Sequence, residues 1–235
     1  MKKKIAIVAY SHGREGTSVL MGILKCLYYE VPDKVKPSKM NPKGFFEDPD
    51  FDQLVFECYG RENGDLSWPP SNVGHIKSSS TSVRTAKREA FFAEFEKIIA
   101  SNPKYALKAP RYLLVPLIEK YTGLYDIKII HIVRNEKDHI NSIFRVWQTT
   151  PNIEKEKKVF KKKAIRDWVK AWKEFGSIVL EETPYPILRL SFESLINDQE
   201  KSIKMIADFL EESSISVNIF GWIEPKLVNR RKLKI

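Results

Sequence analysis

Apolar positions in the chain form three short runs rich in branched residues, and each run is followed by a stretch of helical periodicity. The short runs, which predict buried strands, are residues 5–10, 127–133 and 186–192. In the stretches that follow, apolar residues recur every three or four positions, which predicts a helix after each strand. These stretches are residues 19–27, 138–147 and 202–210. Strands that alternate with helices predict a central parallel β-sheet flanked by helices, an α/β fold.

Two longer periodic segments, residues 84–100 and 164–180, carry stripes of Phe and Trp. Such stripes are typical of helices that face a core. Between the first helix and this pair lies a segment rich in Pro, Gly, Ser and Asn, residues 30–82, which we interpret as an irregular functional loop or lid. No repeat and no domain boundary is visible, so we expect one domain over residues 1–235.

The composition narrows the class of protein. A chain of 235 residues that is 43% apolar can bury one sizeable core. Its net charge of +10 favours an anionic partner: nucleic acid, a membrane surface or a phosphate-bearing small molecule. The two cysteines form no metal-binding or disulfide pattern, and no apolar run is long enough to cross a bilayer. We therefore expect a cytoplasmic protein without a transmembrane segment.

The segment between the first strand and its helix has the features of an anion site. It reads SHGREGTS, residues 11–18, and lies where parallel sheets bind ligands. A glycine loop that leads into a helix N-terminus presents backbone N–H groups to an anion. Arg14 adds a cation, and Thr17 and Ser18 add hydroxyl donors. The segment predicts a phosphate site, although an ordinary strand-to-helix turn would carry similar glycines.

This loop lacks the chemistry of an ATP-dependent kinase. No Gly-Lys pair precedes Thr17, so the lysine that contacts nucleotide phosphates is missing. None of the predicted strands ends in a convincing acidic residue for Mg²⁺, which phosphoryl transfer from ATP requires. A transfer reaction without a metal fits these residues better.

Two motifs resemble those of one enzyme family. GREGTS, residues 13–18, resembles the phosphosulfate loop, usually PRSGTS, of sulfotransferases that use 3′-phosphoadenosine 5′-phosphosulfate (PAPS). HIVRNEKD, residues 131–138, with Ser142 resembles the family's element in which an arginine and a serine hold the 3′-phosphate. The resemblance implies a fold like that of P-loop nucleotide kinases. The residues it implies in donor binding are Gly13, Arg14, Glu15, Gly16, Thr17, Ser18, Arg134 and Ser142.

Three further segments extend the likeness along the chain. NPKGFFE, residues 41–47, is similar to a segment of bacterial members, and YALKAPR, residues 105–111, is similar to their Lys-Asp-Pro-Arg segment. LSFESL, residues 190–195, resembles a late Tyr-Glu-Asp-Leu strand end. The resemblance implies an enzyme that moves a sulfuryl group from PAPS to a hydroxyl or amine, for example of a glycan or another small molecule. It implies neither a metal nor a nucleic-acid partner.

Catalysis of this reaction requires charge stabilisation and a general base. Arg14 and Lys108 are our candidates for stabilising charge on the phosphate and sulfuryl oxygens. The histidine base of the cytosolic members is absent, because Pro110 stands at its position. Other branches use a glutamate, which makes Glu47 the candidate base, with His12 as the second choice.

Four residues needed a separate interpretation. Glu15 replaces the usual serine of the loop, and we expect it either to point to solvent or to pair with a basic neighbour. Phe192 replaces a family tyrosine, which removes a hydrogen bond but keeps an aromatic ring. His131, between two isoleucines of a strand, is interpreted as a core histidine, and His75 has no informative context.

Two other functions stay open at this point. The same loop is compatible with a nucleotide-dependent kinase of small molecules. The positive charge is compatible with a nonenzymatic module that binds polyanions, although no nucleic-acid-binding signature is present. The sequence defines neither the acceptor nor the oligomeric state.

Overall fold

The computed structural model describes residues 2–10, 13–37, 45–59, 82–108, 114–149 and 162–213. Its sheet contains four parallel strands: β1 (Lys4–Ala9), β2 (Lys104–Leu107), β3 (Asp126–Val133) and β4 (Ile187–Ser191). The first four helices are α1 (Thr17–Cys26), α2 (Pro49–Tyr59), α3 (Ser82–Ser101) and α4 (Leu114–Leu117). A 3₁₀ turn (Glu119–Tyr121) precedes α5 (Glu136–Thr149), α6 (Lys162–Glu182), α7 (Phe192–Asn197) and α8 (Gln199–Leu210).

The strand order is β2-β1-β3-β4, so β1 lies inside the sheet between β2 and β3. Ile7 of β1 is in register with Leu107 of β2 and with Ile129 of β3. Since all four strands run in the same direction, their carboxyl ends lie along one edge of the sheet. This confirms the predicted parallel α/β sheet and gathers the segments that follow the strands at that edge.

Both faces of the sheet are buried, which explains why its strands read as continuous apolar runs. Alternate residues of β1 enter opposite layers. Ile5 and Ile7 pack in the layer that contains Trp172, whereas Ala6 and Val8 pack in the layer that contains Leu20. The strands predicted from residues 5–10, 127–133 and 186–192 are present, and no end is shifted by more than one residue.

The two long helices predicted from aromatic stripes correspond to α3 and α6. Phe91, Phe95 and Trp172 are fully buried, so the interpretation of the stripes as core is confirmed. No helix in the described part of the chain is both long and apolar enough to span a bilayer. The expected cytoplasmic location stays a prediction.

The prediction of an irregular loop over residues 30–82 is wrong for part of that range, because α2 lies within it. Asp48 stands before this helix, where its carboxylate accepts a hydrogen bond from the backbone N–H of Phe51 at 3.3 Å. Pro49 occupies the first helical position, where no N–H is needed. Phe51 then packs against Phe91, with 5.3 Å between ring centroids. Burial against α3 stabilises a helix that its mixed composition did not predict.

Candidate active site

The loop after β1 turns through two residues in the left-handed region of backbone space. Arg14 has φ of 80° and Gly16 has φ of 94°. Gly16 is the N-cap residue of α1, and its carbonyl oxygen accepts hydrogen bonds from the N–H groups of Val19 at 3.0 Å and Leu20 at 3.2 Å. A Cβ atom at Gly16 would overlap the ring of Phe192. Glycine is therefore required here by backbone conformation and by space.

The N-terminus of α1 faces this loop with its positive dipole end. Gly16 provides no side-chain cap, and the first turn of α1 contains no acidic residue. Thr17 is buried at the start of the helix, and the hydroxyl of Ser18 lies 3.4 Å from the Lys108 ammonium. Backbone donors, hydroxyls and the helix dipole thus converge as an anion site requires.

The loop is in direct contact with the second motif. The Nη1 group of Arg134, just after β3, donates a hydrogen bond to the carbonyl oxygen of Arg14 at 2.9 Å. Arg14 in turn donates from Nε to the hydroxyl oxygen of Ser142 at 3.4 Å. The three residues come from adjacent strand ends and from α5, and they lie together at the carboxyl edge of the sheet.

Asn135 caps the start of α5. Its Oδ1 atom accepts a hydrogen bond from the Asp138 N–H at 3.3 Å. The backbone N–H of Asn135 donates to Glu193 Oε1 at 2.9 Å. Glu193 belongs to the third similar segment, so this segment supports the position of the second motif. Ser142 is buried about two turns into the helix.

Positive charge accumulates around the loop. Partial burial of its guanidinium lowers the pKa of Arg14, and the charges of Arg134 and Arg145 lower it further. Burial also lowers the pKa of Arg134, although the carboxylates of Asp138 and Glu193 oppose this effect. Guanidinium groups stay protonated in proteins. Their mutual repulsion therefore favours binding of an anion between them.

Phe192 supports both parts of this site. Its ring packs against Gly16, and the guanidinium carbon of Arg134 lies 4.8 Å from the ring centroid. This is the geometry of a cation–π contact. The ring expected from the sequence to retain stacking thus stacks on an arginine of the second motif.

Lys108 follows β2 and connects the loop to the segment that contains Glu47. Its ammonium donates to the Phe45 carbonyl oxygen and lies 2.6 Å from Glu47 Oε1. The residue is only 4% exposed. Burial lowers the pKa of Lys108, whereas the Glu47 carboxylate opposes that shift. Glu47 and Lys108, both predicted site residues, therefore lie together beside Ser18.

The position of Glu47 depends on the residue before it. Phe46 is 2% exposed and has φ of 54°, a conformation that bulky residues rarely adopt. Burial of its ring in the core offsets the backbone strain. The backbone before Glu47 is thereby fixed, and the Glu47 side chain, which is 32% exposed, lies beside Lys108.

The histidines divide into three cases. His12 and His75 lie outside the described residues. His131 is buried in β3 as expected, and burial lowers its pKa to about 4, with further lowering by Arg189 and Lys173. His139, which was not among the predicted site residues, lies fully buried in α5, under the loop.

His139 also resolves the two alternatives for Glu15. The Glu15 side chain is fully buried, with Oε1 3.4 Å from Nδ1 of His139. It therefore faces a titratable neighbour rather than solvent. A signal was available in the sequence: His139 precedes Ser142 by three positions, so both lie on the same face of the helix.

Comparison with known proteins identifies the family. Residues 54–219 match the family model described as "Sulfotransferase domain", and the chain belongs to this family of enzymes. The match includes Lys108, Arg134 and Ser142 and begins after Glu47. The resemblance recognised from the sequence is thus confirmed. A search of curated proteins finds no match.

Three solved structures illustrate the similarity. A mouse sulfotransferase, SULT7A1, complexed with PAP has 17% identity and a TM-score of 0.48, covering 100% of this chain and 68% of that one. A sulfotransferase domain from the curacin biosynthetic pathway has 13% identity and a TM-score of 0.47, covering 97% and 77%. Retinol dehydratase in complex with androsterone and inactive cofactor PAP has 13% identity and a TM-score of 0.43, covering 96% and 66%.

Proposed function

We propose that this chain transfers a sulfuryl group from PAPS to a hydroxyl or amine of an acceptor, with carbohydrates among the acceptor classes. The observation that carries the proposal is the contact between the two motifs, in which Arg134 donates to the Arg14 carbonyl oxygen at 2.9 Å. One bisphosphate nucleotide can span two anion sites that lie this close. Membership of the sulfotransferase domain family supports the same reaction.

The donor would lie across the carboxyl edge of the sheet. The loop of residues 13–18 and the N-terminus of α1 bind its 5′-phosphosulfate through backbone N–H groups and the Thr17 and Ser18 hydroxyls. Arg134 and Ser142 bind the 3′-phosphate. Glu15 contributes its backbone only, because its side chain is fully buried.

The transfer is an in-line displacement at sulfur. The acceptor oxygen or nitrogen forms a bond to sulfur while the bond from sulfur to the 5′-phosphate oxygen breaks. The acceptor proton passes to the base, and adenosine 3′,5′-bisphosphate leaves with the bond electrons. Arg14 stabilises the charge that develops on the leaving phosphate, and Lys108 stabilises the sulfuryl oxygens. The chemistry uses no metal ion.

Glu47 is the proposed general base. Its carboxylate is partly exposed and lies 2.6 Å from the Lys108 ammonium, beside the donor loop. A base must be within hydrogen-bonding reach of the acceptor proton, and the partial exposure of this carboxylate beside Lys108 supports the role. His12 is the second candidate base.

Calorimetric titration with adenosine 3′,5′-bisphosphate tests the donor assignment. We expect Arg134→Ala to weaken binding by ~1.5–3 kcal/mol, which is the size of a hydrogen bond to a charged group. Arg88→Ala is the matched control, because Arg88 lies on α3 near Cys58 and is not one of the proposed donor-binding residues. This variant should bind the bisphosphate as tightly as the unmodified chain does.

Three outcomes would contradict the proposal. The first is that folded protein does not bind the bisphosphate at millimolar concentration. The second is Mg²⁺-dependent hydrolysis of ATP, which would favour a kinase. The third is salt-sensitive binding of unrelated nucleic acids without preference for the bisphosphate, which would favour a polyanion-binding module.

A further inference from the structure

One peptide group beside the second motif is held at both of its ends. It joins Arg134 to Asn135, between the end of β3 and the start of α5. The Arg134 carbonyl oxygen accepts a hydrogen bond from the Lys173 ammonium at 3.4 Å. The Asn135 N–H donates to Glu193 Oε1 at 2.9 Å. A carbonyl group and the N–H that follows it share one rigid plane, so two side chains fix the orientation of this peptide.

The signs of the two charges match the dipole of the peptide. Its oxygen, which carries a partial negative charge, faces the ammonium of Lys173. Its N–H, which carries a partial positive charge, faces the carboxylate of Glu193. Hydrogen bonds with an ionised partner are roughly twice as strong as those between neutral groups. Each bond also polarises the peptide in favour of the other, so the two side chains act together.

Both side chains extend from helices that are themselves well anchored. Lys173 lies on α6, next to Trp172, which is fully buried in the core. Glu193 lies in the first turn of α7. The Ser191 hydroxyl caps this turn by accepting a hydrogen bond from the Ser194 N–H at 2.9 Å. The peptide is therefore attached to two separate parts of the fold.

This peptide lies between the two residues proposed to bind the 3′-phosphate. Arg134 immediately precedes it, and Ser142 follows on α5. Asn135 also caps α5 through its side chain, so the orientation of its backbone affects how the helix begins. Rotation of the peptide would change the direction in which α5 leaves β3. It would therefore change the position of the Ser142 hydroxyl relative to the Arg134 guanidinium.

We propose that Lys173 and Glu193 are positioning residues of the donor site, which hold the peptide between Arg134 and Asn135 so that Arg134 and Ser142 face the same phosphate. This inference rests on the proposed function. It adds that selectivity for a nucleotide with a 3′-phosphate depends on side chains of α6 and α7, which lie outside the two donor-binding motifs.

Substitution at either end of the peptide tests this role. Lys173→Met removes the donor and keeps an unbranched apolar side chain, and Glu193→Ala removes the acceptor. We expect each variant to bind adenosine 3′,5′-bisphosphate about fivefold to tenfold more weakly than the unmodified chain in calorimetry. The affinity for adenosine 5′-phosphate should fall by no more than about twofold, because the loop of residues 13–18 keeps its own donors. A general loss of folded protein would not change the ratio of the two affinities.

A conservative variant separates the hydrogen bond from the charge. Glu193→Gln keeps an oxygen that accepts from the Asn135 N–H, so we expect its ratio of affinities to stay within about twofold of the unmodified chain. If Glu193 acted only through the field of its charge on the phosphate, both Glu193→Gln and Glu193→Ala would bind the bisphosphate more tightly. That result would contradict the inference.

Two exposed residues provide matched controls. Lys170 lies on α6 three positions before Lys173 and pairs with Glu174 at 3.8 Å, and Glu200 lies in the first turn of α8. Lys170→Met and Glu200→Ala make the same changes of charge away from the peptide. Both controls should bind the two nucleotides as the unmodified chain does, and a loss of preference in either would contradict the assignment to Lys173 and Glu193.

The double variant tests whether the two side chains act on one group. Lys173→Met combined with Glu193→Ala should bind the bisphosphate no more than about twofold more weakly than the weaker single variant, because either change alone releases the same peptide. Losses that multiply would indicate two independent effects and contradict the inference.

The remaining outcomes distinguish this inference from the proposed function. If Glu193→Ala does not fold, Lys173→Met applies the same test from the other end of the peptide, and failure of both to fold contradicts a positioning role. If the unmodified chain does not bind the bisphosphate, the proposed function fails and the inference fails with it. If the unmodified chain prefers the bisphosphate and both variants keep that preference, only the role of Lys173 and Glu193 fails.

Discussion

Replacement of Gly16 by alanine tests the geometry of the loop of residues 13–18, which we propose to bind the donor. The residue has φ of 94°, where an alanine costs about 1 kcal/mol. The new methyl group would also overlap the Phe192 ring, and overpacking of this kind costs roughly 1–3 kcal/mol. The two contributions together predict a loss of about 2–4 kcal/mol in the free energy of unfolding. For a chain of this size that corresponds to a decrease in Tm of roughly 4–16 °C.

Gly13→Ala is the matched control in the same loop. A Cβ at Gly13 has no heavy atom within 4 Å, and the residue does not have a left-handed φ. We expect its Tm to stay within about 2 °C of the unmodified chain. Thermal unfolding followed by circular dichroism measures both variants, and calorimetry measures their affinity for adenosine 3′,5′-bisphosphate. Equal melting temperatures and affinities for the two alanine variants would refute the reasoning.

Three further predictions concern separate parts of the fold. Burial opposes ionisation of Glu212, but hydrogen bonds from Lys104 at 2.5 Å and from Lys4 hold its pKa below the ordinary value. The stabilisation by these bonds is present above about pH 4 and is lost as the pH falls through the lowered pKa of Glu212. Glu212→Gln should therefore lower the free energy of unfolding, measured by chemical denaturation, by ~1.5–3 kcal/mol at pH 7 and by progressively less in acid. An equal loss at every pH would contradict this prediction. Burial raises the pKa of Cys58 to about 11, so iodoacetamide at pH 8 should leave this thiol unmodified until the protein unfolds, as mass spectrometry would show. Phe192→Leu removes the ring below Arg134 and should weaken binding of adenosine 3′,5′-bisphosphate by ~0.5–1 kcal/mol. An unchanged affinity in calorimetry would show that the cation–π contact does not contribute to binding.

Sequence patterns predicted the elements whose burial is nearly complete. β1 and β3 are covered on both faces, so each appears as an apolar run that periodicity detects. β2 was not predicted from the sequence, because it has only four residues and the first of them, Lys104, is charged. α2 was not predicted either, because its stability depends on packing against α3, and the local composition does not reveal that contact.

The candidate site was predictable in its motifs but not in its contacts. The loop and the Arg134 motif were recognisable from spacing, and the structure brings them into contact. His139 and Gly13 are 126 positions apart, and Lys108 and Phe45 are 63 apart. Such contacts depend on the order of strands in the sheet. No local pattern specifies that order, which is why the partner of Glu15 was left open.

The central claim is that the loop and Arg134 bind opposite phosphates of one nucleotide. Calorimetry should therefore compare adenosine 3′,5′-bisphosphate with adenosine 5′-phosphate, in the unmodified chain and in Arg134→Ala. We expect the unmodified chain to bind the bisphosphate more tightly than adenosine 5′-phosphate, by roughly tenfold or more. Arg134→Ala should lose most of this preference, because its affinity for the bisphosphate falls much further than its affinity for the 5′-phosphate. Equal affinity of the unmodified chain for the two nucleotides, or a preference that Arg134→Ala retains, would contradict it.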